Sequence, residues 1–109
     1  MDISELNKKI IVQKKESHKA LEDIKYIDFK NVWAKIINLH GKERLEAQAI
    51  NPKIDKKVTI RYIRELDPSI NINATKDYRV KYKGNYYNII YADNIKEENR
   101  FLELMLEVE

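Results

Sequence analysis

The side chains able to do chemistry are few and scattered. His18 and His40 are the two histidines, and no second histidine stands at ligand spacing from either. Ser4, Ser17 and Ser69 are the serines, none in a nucleophile-elbow pattern. Two glycines, Gly41 and Gly84, cannot build a phosphate-cradling loop. There is no cysteine, which excludes disulfides, thiolate metal sites and cysteine nucleophiles. Asp93, Glu97 and Glu98 cluster late in the chain, where a solvated turn accounts for them better than an acid–base pair does. The expectation is a chain with no catalytic residues, no metal and no cofactor.

Aromatic and basic residues offer binding chemistry instead. Seven tyrosines could stack on nucleic-acid bases. Yet Tyr78, Tyr82, Tyr87 and Tyr91 fall at strand spacing and are expected in the core, hydroxyls near water. Lys57, Arg61, Arg79 and Lys81 are expected to face outward, as candidate phosphate contacts. No outward aromatics interleave with them, which weakens a nucleic-acid reading.

The elements that must position these groups are mostly strands. "KKIIVQKK" (Lys8 to Lys15) is a β-branched run, and a loop with some helical character follows it. "FKNVWAKIINL" (Phe29 to Leu39) places Val32, Ala34 and Ile36 on one face, with Phe29, Trp33, Ile37 and Leu39 on the other. A strand apolar on both faces is expected to be covered on both, by its own core and by another surface. Gly41 stops it. Lys42 to Ile50 then has good helix formers with Leu45 and Ala49 one turn apart, and Asn51-Pro52 ends it. So short a helix cannot stand alone; whether Leu45, Ala47 and Ala49 pack on their own barrel or on a neighbour stays open.

Lys56 to Ile63 alternates, with Val58, Ile60 and Tyr62 predicted to face in. A loop turns at Asp67-Pro68. "YRVKYKGNYYNIIY" is a hairpin about Gly84-Asn85. In "RFLELMLEVE", Leu102, Leu104, Leu106 and Val108 alternate with Glu103 and Glu107, which favours a strand over its helical rival. Together these predict one domain over residues 1–109, mainly β: a small antiparallel barrel or curled sheet of about six strands, with one short helix between the second and third.

The composition agrees with a folded globule: charged residues make up 36% and hydrophobic ones 43%. The first ten residues, "MDISELNKKI", read as no secretion signal, and no run approaches a membrane span. Charge is segregated along the chain. Residues 41–83 hold eleven basic and six acidic groups, whereas residues 84–109 hold two and six. This is either a solvated surface or complementarity between subunits, or between the middle segment and phosphate.

The order of these segments resembles the bacteriophage head–tail joining family, the head-completion or head-closure (stopper-type) proteins of long-tailed phages. The resemblance runs nearly end to end. It is carried by Leu6 to Lys14; by Phe29 followed by Val32, Trp33, Ala34, Ile36, Leu39, Gly41, Glu43 and Glu46-Ala47-Gln48; by Ile60, Arg61 and Tyr62; by Arg79, Val80, Tyr82, Gly84, Tyr87 and Ile89; and by Arg100, Leu102, Leu104 and Glu107. Two departures are His40, where the family usually has serine, and a longer loop from Ile63 to Asn73.

The resemblance implies a small barrel that assembles with itself as a ring of about twelve subunits. Such a ring lies beneath the portal and its adaptor protein, closes the DNA-filled head and offers a docking surface to the tail or tail-completion protein. It implies a location in the virion after synthesis in the bacterial cytoplasm, no enzymatic activity, no membrane partner, and room for non-specific contact with packaged DNA. The implied channel or gating segment is His40, Gly41, Lys42, Glu43, Arg44, Leu45, Glu46, Ala47 and Gln48. Trp33, Tyr62, Tyr82 and Tyr87 are the candidates for fold and docking. The alternative is a small β-barrel that binds nucleic acid or regulates by doing so, with Lys57, Arg61, Arg79 and Lys81 as its basic surface.

Overall fold

The computed structural model describes residues 3–16, 25–39, 41–50 and 53–109. His18, His40, Ser17 and the Asn51-Pro52 terminator lie outside them. Six strands close into a barrel: β1 (Lys8–Lys15), β2 (Tyr26–Asn38), β3 (Ile54–Arg61), β4 (Tyr78–Tyr82), β5 (Asn85–Asn94) and β6 (Phe101–Val108). Around the barrel they run β1-β2-β3-β6-β5-β4, each pair antiparallel. A helix, α1 (Gly41–Ile50), joins β2 to β3. The fold is the expected mainly β antiparallel barrel with its short helix in the expected place.

Alternation selects the interior. Ile10, Val12, Ala34, Val58, Ile60, Val80, Ile89, Leu102, Leu104 and Leu106 are all buried in one cluster. At roughly 25 cal/mol per Å² of apolar surface removed from water, this cluster is the main source of stability. Register shifts at Val12/Gln13, Ile54/Lys56 and Ile89/Tyr91 bend the strands, as closure of so small a sheet requires. The β4–β5 turn falls one residue earlier than predicted. Tyr82 pairs with Asn85, so Lys83 and Gly84 form the turn, both at positive φ (50° and 78°). A two-residue hairpin turn of this hand needs that conformation twice, and Lys83 adopts it along with the glycine.

Other boundaries differ for physical reasons. β2 starts at Tyr26, because its first half pairs along the length of β1, while only Ala34 to Asn38 pair with β3 as well. β3 starts at Ile54 and ends at Arg61, so Tyr62 lies beyond the strand and only its ring leans on the core. The stretch expected as a loop contains a 3-10 turn (Arg64–Leu66) and a one-turn helix, α2 (Ala74–Asp77). Leu66 and Ala74 are buried there, and the turn around Asp67 supplies the hydrogen bonds that a plain loop would lack. Val108 is exposed, not inward-packed, because the interior ends at Leu106.

Candidate functional site

Helix α1 stands outside the closed sheet. Gly41 opens it at φ 61°, a conformation that lets the chain leave β2 abruptly, with nothing near where a side chain would go. Of the helix side chains described, only Ala47 is fully buried, against Leu39 and Ile54, with Ile90 and Met105 at the edge of that cluster. The Lys57 ammonium donates a 2.5 Å hydrogen bond to Glu43, tying the helix to the wall. That bond raises the Lys57 pKa, against the smaller opposing effect of burial. Lys42 and Glu46 pair along the helix at 3.9 Å, exposed. Leu45 is 71% exposed, and Gly41, Arg44 and Ala49 are exposed too, while Gln48 is half-buried. Of the question left open by the sequence, Ala47 packs on its own barrel and Leu45 does not.

Trp33 also points outward, 58% exposed, and with Leu6, Asn7 and Arg61 it lines an open groove of about 370 Å³. The expected second cover over the outer face of β2 is thus supplied by α1 at Leu39 but, among the described residues, left incomplete at Trp33. Tyr87 and Tyr78 are core residues, Tyr82 is partly so, and Tyr91 is exposed, which departs from the expected core set. Tyr91 sits just past a register shift that turns it to the outer face beside Met105.

The four candidate phosphate contacts do not form one free surface. Lys57 is committed to Glu43. Arg79 lies between the rings of Tyr26 and Tyr86, 3.9 and 4.1 Å from their centroids. It also donates to Gln13 at 2.7 Å and pairs with Glu109 at 3.1 Å, while Gln13 donates to Asp28 at 2.8 Å. A guanidinium filled on both faces and both edges holds strands together more than it offers charge to a ligand. Arg61 and Lys81 make no ion pair among the described residues.

One polar site went unread in the sequence. Asp67, almost fully buried, accepts hydrogen bonds from the Tyr62 hydroxyl (2.7 Å), from the Ser69 amide and hydroxyl (3.0 and 2.8 Å) and from Asn94 (3.4 Å). Burial pushes the Asp67 pKa up, but these donors together outweigh it and hold the carboxyl below the usual aspartate range. Its hydrogen bond raises the Tyr62 pKa. The Asp-Pro-Ser sequence was the available signal, since aspartate there caps its own turn. A hollow of about 400 Å³ opens beside it, lined in part by Asp93, Asn94, Glu97 and Asn99. Among the described residues no group of metal-ligating side chains converges there or elsewhere.

The family model described as phage head completion protein matches residues 1–109, the whole chain. The chain belongs to that family. As a head completion protein it has a structural role in the phage head, which implies interaction with other head and tail proteins, and the family suggests a non-enzymatic role in the virion. Among solved structures, protein SF1141 from Shigella flexneri 2a is similar, with a TM-score of 0.67 at 24% identity, over 99% of this chain and 96% of that one. That likeness speaks to the fold. No curated protein matches the chain. Among the described residues, no helix is long and apolar enough to cross a membrane.

Proposed function

We propose that this head completion protein forms a ring beneath the portal and its adaptor, closes the DNA-filled head and presents the surface on which the tail docks. Membership of the family over the whole chain carries this reading. Helix α1, held to the barrel by Ala47 and by Glu43–Lys57 with Leu45 left to solvent, supports its assignment as the element facing the channel or a neighbouring subunit. Trp33 supports the docking role by the same logic: a large exposed aromatic in an open groove is the usual anchor of an interface.

The test of the reading is deletion of the gene from its phage, followed by measurement of DNA content and tail attachment of the heads. Heads that are full and tailed without the protein would end it. Within that reading, Leu45→Glu tests α1. Thermal melting of the purified variant should match wild type, because Leu45 touches little, while heads carrying it should lose DNA. Full retention would remove α1 from the channel.

A further inference from the structure

The sheet closes, yet one stretch of it has a strand on one side only. β2 pairs with β1 from Tyr26 to Ala34 but with β3 only from Ala34 to Asn38. β3 stops at Arg61, and the chain then turns toward the core: the Tyr62 amide donates to the Arg100 carbonyl, and Ile63 and Leu66 are buried. The far edge of β2 from Tyr26 to Trp33 is thus left without a neighbouring strand among the described residues. No backbone hydrogen bond from another described element reaches it there.

This edge stays extended throughout, although a bulge at Phe29 coils it. Residues of an antiparallel strand turn both backbone groups to one side or the other in alternation, so about half of these residues hold out an N–H and a C=O unpaired by β1. Proteins blunt such edges with lysine, proline, a bulge or a covering element. This one has a single lysine, Lys30, and the bulge, but no proline. Ile27, Phe29 and Trp33 instead stand 50, 37 and 58% exposed along it. Donors and acceptors that recur every two residues, about 7 Å apart, are matched by another extended backbone. A helix has already paired its own groups, and a nucleic acid's phosphates offer no donors.

We infer that the free edge of β2, from Tyr26 to Trp33, takes up an extended strand of another head or tail protein, in the line that β3 leaves. This rests on the connector reading above and names one of its contacts. Backbone pairing supplies the hold, and side chains at alternate positions of the incoming strand supply the choice of partner. Those beside Ile27 and Phe29 are apolar, and exposed Lys30 calls for an acidic residue opposite.

The first measurement is amide exchange of the free full chain, followed by nuclear magnetic resonance. Amides from Tyr26 to Trp33 should alternate between slow and fast; slow exchange at every one would mean that the edge is already paired. The second uses the absence of cysteine. Ile27→Cys and Asn31→Cys, each labelled with benzophenone maleimide, are assembled into heads that lack the protein, given tails and irradiated. Both labels should attach to a single segment of one head or tail protein, at positions spaced as Ile27 and Asn31 are. Attachment to the same chain, to a second copy or to DNA, or no attachment at all, would overturn the inference. In a third arm, Ile27→Lys should melt like wild type, because the site is half exposed, and should yield at least tenfold fewer tailed particles. Full yield would overturn the inference as well. If heads need the gene but either label fails to find such a segment, the edge assignment falls and the connector role stands. If heads are full and tailed without the gene, the connector role falls and takes this contact with it.

Discussion

Lys57 on the barrel wall and Glu43 on helix α1 meet at 2.5 Å, across a junction whose only fully buried helix side chain, among those described, is Ala47. Both partners are partly exposed, so the pair contributes at most about 1 kcal/mol. Glu43→Gln should leave the urea midpoint nearly unchanged while amide hydrogen exchange in α1 speeds up. Because the Lys57 pKa is raised in the fold, the pair's contribution is fully present below the ordinary lysine value and fades as pH rises through the raised one. Wild type and variant should therefore converge in strongly alkaline solution.

Trp33→Ala should barely change stability. A strand apolar on both faces invites the expectation that Trp33 is packed under a second surface, but it is 58% exposed. A surface change of this kind stays within about 0.5 kcal/mol, whereas Leu104→Ala, at a fully buried site, should cost about 2–5 kcal/mol. Urea midpoints of the two variants, measured side by side, check the contrast; a large loss from Trp33→Ala would place its ring in the folded core.

Asp67 should govern part of the acid limb of stability. Its pKa is held below the usual aspartate range, so its contribution is present above the unfolded value and is lost as pH falls through the folded one. Asp67→Asn should melt lower than wild type near neutrality. Its melting temperature should then fall less steeply as pH drops below the ordinary aspartate range. Parallel melting curves over that range would show that the carboxylate charge is not what the fold uses.

Arg79→Lys should be costly although it keeps the charge. A lysine cannot stack flat between Tyr26 and Tyr86 while bonding both Gln13 and Glu109. Stacked, partly desolvated guanidinium contacts are worth about 2 kcal/mol, and denaturation in urea should show a loss of that order. Near-wild-type stability would mean that the charge alone suffices.

Strand alternation made the barrel legible. The bounds of β1 coincide with its β-branched run, and Leu102, Leu104 and Leu106 fall inward as their spacing demands. Periodicity tells which residues share a face but not whether that face is covered, which is why Tyr91, expected in the core, and Trp33, expected under a second cover, are both exposed. Outward Arg79 was correctly oriented, yet its partners come from four other parts of the sheet that only register brings together. Helix α2 and the turn before it were missed because their stability is tertiary, resting on buried Leu66, Ala74 and Asp67. As a candidate site, α1 was readable from Gly41 and its helix formers, while the paired state of Lys57 was not.

The seam that closes the barrel joins Ile11–Lys14 of β1 to Tyr78–Lys81 of β4. Until residues near 80 emerge from the ribosome, β1 is an open edge with unsatisfied backbone groups, able to recruit strands from other chains. Pairings this distant in sequence form slowly, on the order of milliseconds to seconds. Lys8, Lys9, Lys14 and Lys15 lie at the two ends of that strand. Charge so placed repels a like edge on a second nascent chain and keeps water on the strand. The lysines of β1 thus act before the barrel exists, guarding the chain against aggregation while its last partner is still being made.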